Sequence, residues 1–577
     1  MPAIDFRTLH YLADDDPETF LGGRYYPHAA LTNLLRRWQR DYPALIEIDS
    51  IGTSREGREI PLAIVTNCQT GPHDQKPAYY IDAEIHAAEV TGSAVALGLI
   101  DHLLRTSGTD ATVTDLLDHT TLYVVPRIAV DGAEAFLQST AYTRSTFAGV
   151  TPPERGLIPG DLNGDGLISS MRFRDPAGPW KRSSLDSRVM VKREPHEYAG
   201  EYYVVIPEGE IADWDGGPIE LAETGFRTGI DFNRNFPHWW KPAWEQTGAG
   251  PYPLSEPEMQ AVADFVLGHP NIHGSLHHHT STGAVLRPSA SFPDSVMPPL
   301  DLRAYTAIGQ SMATLTGYPL MSLFHANPIN PGVPSHGLAF DWMFHQAGVL
   351  ALGTELWSMY DLVGATAPTV HELIFGRSEE QDVAILAYFD QHAGGRGFTS
   401  WRAFDHPQLG AVEIGGWERK FGYMNPPGPL LQQEIDRFIP ATLAAMGSGP
   451  RLRIVDSGSE ALGNGLWRVW VDMANDGFLP TYGSETWLAT GNAVPLRATI
   501  ALPANAEVLD AKTVSLDLGH LPGRVAHYGV FAFDGDYEHR ARAHAEWFVR
   551  SDAGAVCVIT TSTPRAGTCI AEVVLGL

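Results

Sequence analysis

From residue 25 to about 395 two periodicities alternate along the chain: apolar residues three and four apart, then short unbroken apolar runs. That alternation predicts an α/β domain with a mixed, mainly parallel sheet flanked by helices. Leu31, Leu34, Leu35 and Trp38 recur at helical spacing in HAALTNLLRRWQRDYP, and IPLAIVTN and AYYIDAEI then read as short buried strands. The second strand runs directly into HAAEVTGSAVALGLIDHLL, whose apolar residues take up a helical period. The segment is therefore strand, turn and helix, with His86 and Glu89 at the turn. TLYVVP, GIDF, IHGSLH and GVLALGTELW are further expected strands, and EPEMQAVADFVLGH is a further expected helix.

Two stretches break this rhythm. Between Tyr142 and Thr228 the chain is rich in Gly, Pro and charge, and it is too long for an ordinary connection. After a helix-like GPLLQQEIDRFIPATLAAM comes the breaker GSGP at 447–450. Beyond it RLRIVDSG, LWRVWVDMAND, RATIAL, TVSLDLG, HYGVFAF, AVCVITT and IAEVVLGL read as short strands between turns. They predict a C-terminal all-β sandwich. The expected division is one domain over 1–446, with its core at about 25–395, and a β-sandwich over 447–577.

Composition narrows the function. Forty basic against 68 acidic side chains give a net charge of −28, which repels phosphate backbones and anionic lipid surfaces, so neither nucleic acid nor membrane is the expected partner. With 44% hydrophobic and 19% charged residues the chain is a folded globular protein. Its three cysteines allow at most one disulfide and lack the paired spacing of a zinc ribbon. No basic segment followed by an apolar stretch opens the chain, and no run of 18 apolar residues occurs, so it reads as soluble and cytoplasmic.

His86 and Glu89 form an H-x-x-E pair, and a catalytic zinc takes three protein ligands, His₂Glu being one known set. The pair alone is common by chance. The third donor has to come from elsewhere, and His277, His278 and His279, ending the IHGSLH strand, are the available cluster.

Order and spacing add weight. YPALIEIDSIGTSREGREIPLAIV, AEIHAAEVTG, GIDFNRNF, LHHHTSTGAVLRP, and GLAFDW followed by GTELW occur in that sequence along the chain. Over about residues 25 to 395 they resemble the zinc carboxypeptidases of the M14 family. The resemblance implies that family's fold, one catalytic Zn²⁺ and a peptide substrate with a free C-terminal carboxylate. It also implies His86, Glu89 and His279 as ligands, with His277, two residues earlier on the same strand face, as the alternative.

By the same resemblance Glu355, 14 residues after Asp341, is the general base. Asn233 and Arg234 are the grip on the substrate carboxylate, a chemistry that suits an amide beside a guanidinium fork. Phe340 lies at the floor of the side-chain pocket, where a phenyl ring would favour an apolar or small terminal residue. The oxyanion arginine is matched best by Arg172 in SSMRFRDP, with Arg174 second. Ala88 stands where many members carry a substrate-contacting arginine. No counterpart of the substrate-capping tyrosine is identified, Tyr318 and Tyr360 being only nearby.

Asp161, Asn163 and Asp165, in DLNGDG, begin like a calcium loop, but its twelfth position is Arg172 instead of a bidentate Glu, so it is not an EF-hand. It reads as an Asx/Gly turn, with a weaker Ca²⁺ site as the alternative. Three functions follow for test: a zinc metallocarboxypeptidase, a zinc amide hydrolase or deacylase on a small or cell-wall-derived substrate, and a catalytically silent binding protein.

Overall fold

Eight strands form the central sheet, in the order Ile46–Thr53, Glu59–Val65, Thr121–Val125, Ala78–Ala83, Ile272–Thr280, Leu350–Leu356, Ala284–Arg287 and Leu320–Ser322. This computed structural model describes residues 4–148, 150, 154–222, 229–325, 332–365, 376–509, 513–526 and 541–576. The four central strands, from Thr121–Val125 to Leu350–Leu356, run parallel, while Glu59–Val65 and Ala284–Arg287 join on either side antiparallel. Those four are buried almost throughout, which is why their sequences read as unbroken apolar runs.

Successive side chains on these strands enter different cores. On one face Ile81, Val124, Leu276 and Leu352 meet Leu31, Leu35, Leu97, Ile100 and Met312, from helices His28–Asp41, Thr91–Thr106 and Pro299–Thr316. On the other, Tyr80, Val125 and Ala351 meet Met259 and Val262 of helix Pro257–Gly268 and the rings of Phe232 and Trp342. The expected helix Gly428–Met446 covers the first face, where Ala441 and Ala445 join the core.

GIDF is not a strand. The Asp231 side chain accepts from Asn233 N at 2.8 Å and caps a short 3₁₀ turn, Phe232–Arg234. This local bond replaces strand pairing, a habit of Asp near turns.

The long excursion after Tyr142 folds with a later segment. Its strands Ser170–Arg174, Trp180–Arg182, Met190–Lys192 and Tyr203–Pro207 join Phe398–His406 and Gly410–Trp417 in a six-stranded sheet. From Leu452 onward two four-stranded antiparallel sheets face one another, with Val469, Val471, Trp547 and Val549 packed against Ala498, Ile500, Ile559 and Val573. Strand Arg542–Arg550 was not among the expected elements, although Ala545, Trp547 and Val549 alternate inward in it. HYGVFAF lies outside the described residues.

The two parts share a continuous seam. Buried Arg565 donates to the carbonyls of Ile272, Ala347 and Tyr482, and Asp301 caps the short helix Glu485–Ala489 through Glu485 N and Thr486 N. All three cysteines are free thiols. Among the described residues no helix is long and apolar enough to cross a membrane.

Candidate active site

Strand Ala78–Ala83 ends where Glu84 takes a left-handed φ of 54°. A non-glycine residue in that region needs outside support. Glu84 has it: its fully buried carboxylate accepts from Arg127 Nε at 2.6 Å and Nη2 at 3.3 Å. Ala129 N and Ile128 N meanwhile hold the carbonyls of Glu84 and Ala83. The turn so fixed carries His86 and Glu89 beyond the C-terminal end of the strand, just before helix Thr91–Thr106.

His279 lies at the end of the neighbouring parallel strand, and Glu355 is its register partner on the next. Three adjacent strands thus bring four groups to the edge at which parallel sheets carry their sites. His86 Nδ1 is 2.9 Å from Glu89 Oε1, His279 Nδ1 is 3.0 Å from Glu89 Oε2, and the two Nδ1 atoms are 3.2 Å apart. Ligand atoms of these three buried residues all lie within 4.8 Å of one another, the one such group among the described residues. Tetrahedral zinc, with bonds of about 2.0–2.1 Å, separates its donors by about 3.3 Å. The donor set and its spacing fit that ion. His86 Nε2 lies 3.0 Å from Asp231 Oδ1, a carboxylate contact that orients the ring with Nδ1 toward the group.

An arginine completes the arrangement, and it is Arg144. Its Nε donates to Asp231 Oδ2 at 3.1 Å and its Nη1 to Glu89 Oε1 at 3.3 Å. Backbone bonds place it there: Ala87 N donates to Arg144 O, Ser145 Oγ to Ile85 O, and Phe232 N to Ser145 Oγ. Burial and the nearby Glu89 charge push the Glu355 carboxyl well above its usual range, with Arg144 opposing. Burial works the same way on Asp231, but the charges of Arg144, His86 and Arg234 outweigh it and hold that carboxyl well below. Low-dielectric surroundings amplify each of these effects.

Asn233 accepts from Ala339 N at 2.9 Å, tying the 3₁₀ turn to the segment that carries Phe340. Arg234 donates to Asn233 O at 2.8 Å, and burial lowers its pKa beside Asp231. Phe340 is buried against strand Ile272–Thr280, 5.0 Å from the His277 ring and 5.7 Å from that of His279, and leaves no room for a Cβ on Gly353. Asp341 accepts from Ala290 N and Ser291 Oγ, and burial pushes its carboxyl up to about 6.

Several expectations are corrected. Arg172 is not at this site: it sits in the six-stranded sheet, donating to Glu413 at 2.9 Å, its guanidinium 4.2 Å from the Trp401 ring centre. Arg174 pairs with Glu201 on the same sheet. The arginine at the site stands at the very start of the excursion, ahead of its strands, and the excursion's length disrupts the spacing on which the sequence match relied. His277 is committed elsewhere, its Nδ1 2.9 Å from both Asp82 oxygens and its Nε2 3.0 Å from Ser275 Oγ. His278 points to Thr354 Oγ1 and Phe438, and burial lowers it to about 3.

Tyr318 is buried on Glu434, and Tyr360 accepts from Arg377, so both are fixed in packed clusters. In DLNGDG the Asp161 carboxylate accepts from the amides of Gly164, Asp165 and Gly166, while Asn163 and Asp165 accept from Asp165 N and Leu167 N. This is the Asx/Gly turn, and calcium is not supported. Asp231, Arg144 and Tyr423 were missed. Asp231 lay inside a motif already singled out, and Tyr423 arrives from a segment with no motif at all, its burial-raised phenol facing Ser281 and the Glu355 charge.

A family model described as zinc carboxypeptidase matches residues 31–361, and one described as a domain of unknown function matches 451–574. Duck (Anas platyrhynchos) carboxypeptidase D is 31% identical over 132 residues, 23% of this chain and 8% of that protein. Homo sapiens carboxypeptidase D is 34% identical over 101 residues, 17% of this chain and 7% of that one. Mus musculus carboxypeptidase A6 is 25% identical over 278 residues, 46% and 45% of the two chains. The chain thus spans under a tenth of the carboxypeptidase D relatives and under half of carboxypeptidase A6. The crystal structure of thrombin activatable fibrinolysis inhibitor aligns at a TM-score of 0.42 and 16% identity, covering 75% of this chain and 76% of that chain. Carboxypeptidase A from Helicoverpa armigera aligns at 0.41 and 16%, covering 67% and 78%.

Proposed function

Because this chain belongs to the zinc carboxypeptidase family, we propose that it is a metallocarboxypeptidase that hydrolyses the C-terminal peptide bond of peptides. The observation that carries the reading is the convergence of His86, Glu89 and His279 beside Glu355. Zinc held by the first three would act as a Lewis acid on the scissile carbonyl and lower the pKa of water.

The chain's own groups do the rest. Glu355 takes a proton from the attacking water and hands it to the departing amine nitrogen, a task its raised proton affinity suits. Arg144, in place of Arg172, donates to the oxygen on which negative charge develops. Arg234 and Asn233 grip the terminal carboxylate, and Phe340 forms the base of the pocket for the terminal side chain. In the same proposal residues 1–446 are the catalytic part and 447–577 a β-sandwich that supports it.

Ala88 between the ligands, and the fixed state of Tyr318 and Tyr360, favour one second reading: an amide that is not a peptide but still ends in a free carboxylate. Mass spectrometry of a peptide panel, free-acid and C-terminally amidated, with zinc-loaded and chelator-treated protein, tests both. Loss of single residues from free-acid ends only, abolished by chelation, is the expected result. No cleavage of any peptide with metal still bound would overturn the peptidase and leave the non-peptide amide.

A further inference from the structure

The segment between strand Gly410–Trp417 and helix Gly428–Met446 matches no motif and lies beyond the family match, yet it reaches the ligand turn. Its Asn425 is completely buried and uses its whole hydrogen-bonding capacity. The amide oxygen accepts from Thr91 N at 3.1 Å and Thr91 Oγ1 at 2.8 Å, while the amide nitrogen donates to Ala88 O at 2.8 Å and Lys420 O at 3.0 Å. Ala88 and Thr91 flank Glu89, so one side chain brackets the turn on both sides of that carboxylate.

Ahead of Ala88 the turn is held by Ala87 N on Arg144 O and Ser145 Oγ on Ile85 O, whereas Asn425 holds it at Ala88 and Thr91, around Glu89. Val90, the residue before helix Thr91–Thr106, gives the helix no side-chain cap, so Thr91 N would lack a partner without Asn425. Nearby, Trp357, two residues past Glu355, donates its N to Glu434 at 2.7 Å and its Nε1 to Gly422 O at 2.9 Å. The stretch Phe421–Glu434 therefore grips both the turn carrying His86 and Glu89 and the end of the strand carrying Glu355.

We infer that Asn425 is a positioning residue of the metal site, holding the His86–Glu89 turn in its ligating form through Ala88 and Thr91. The inference rests on the assignment of His86, Glu89 and His279 as the metal group. Groups that orient ligands without touching the metal contribute about 10–100-fold to metal affinity. A buried amide that merely stabilised the fold would lower the melting temperature and leave metal affinity of the folded protein unchanged.

The test is zinc affinity of the full chain, measured by competition with a chromophoric chelator, for the wild type and for Asn425→Leu, Met446→Ala and His279→Ala. Met446 is buried on the same helix that follows Asn425 and lies at its far end, so Met446→Ala controls for general destabilisation. Asn425→Leu should weaken zinc at least about tenfold, while Met446→Ala, at a similar loss of melting temperature, should not. Wild-type affinity in Asn425→Leu, with zinc lost from His279→Ala, overturns the inference and leaves the metal site standing. Wild-type affinity in His279→Ala overturns the metal site itself. Should Asn425→Leu fail to fold, Asn425→Asp keeps the volume and both bonds from Thr91 but turns the Ala88 contact repulsive. The same loss of affinity is then expected, and its absence is equally decisive.

Discussion

The central sheet and the C-terminal sandwich are both built of strands, but they treat polar residues in opposite ways. In the central sheet the parallel strands are covered on both faces, so a polar side chain can be accommodated only where it is paired or at a strand end. His86, Glu89, His279 and Glu355 all stand at such ends. In the sandwich, strand Leu466–Asn475 alternates half-exposed and buried positions over residues 466–473, so Arg468 and Asp472 face outward by the pleat alone. A polar residue is informative only against the burial pattern around it.

The sharpest way to break this contrast is to exchange one side chain in each region. Glu355→Gln should retain zinc and lose about 10²–10⁴-fold in kcat. Trp547→Ala, a fully buried ring in the sandwich, should cost about 3–5 kcal/mol of stability and leave kcat/KM of the folded protein within about twofold. Near-normal turnover in Glu355→Gln would remove chemistry from the strand end, and a large kinetic effect of Trp547→Ala would move part of it into the sandwich.

A finer comparison sets Arg144 against Arg172, both hydrogen-bonded to carboxylates and only one beside the His86, Glu89 and His279 cluster. Arg144→Ala should lower kcat about 10²–10³-fold with zinc retained. Arg172→Ala should reduce stability and change kcat less than about threefold, since its partners Glu413, Met190 and Trp401 belong to the six-stranded sheet. The reverse ranking would restore the assignment made from sequence.

The smallest effect is electrostatic. Asp341 has its folded pKa raised to about 6 from an ordinary 3.8, so between those values the folded state holds more protons than the unfolded one and stability falls as pH rises. The stabilising contribution is complete below pH 3.8 and gone above about 6. Asp341→Asn removes the titration, so its unfolding free energy relative to wild type should rise by about 1–3 kcal/mol between pH 4 and 7. Parallel urea titrations at the two pH values would reveal the change, and a constant difference would show that Asp341 does not titrate there.

Much of the fold was legible because burial writes itself into periodicity. The helix over Gly428–Met446 and the strands over residues 121–125 and 350–356 follow directly from apolar spacing. Strand Arg542–Arg550 was missed because its charged outward positions mask the inward Ala545, Trp547 and Val549. The residues that converge as His86, Glu89 and His279 were legible because their order along the chain is distinctive. Asn425, Arg144 and Asp231 were not, since their significance lies in bonds to backbone or to a ligand's far side, contacts that depend on three-dimensional closure and leave no spacing rule behind.

Arg565 gives the seam between the two parts an unusual character. Its guanidinium is buried and its three acceptors are main-chain carbonyls, two of them in the polypeptide that leads into the His279 and Glu355 strands. Desolvation lowers its pKa to about 10 and, among the described residues, no carboxylate pairs with it, so separating the parts would strand those carbonyls as well as release the cation. A protease nick at residues 447–450 should therefore leave two fragments that stay together and co-elute, held as one particle without a connecting peptide bond. Expressed apart, residues 1–446 should be a sticky, incomplete body until the missing sandwich is returned to it.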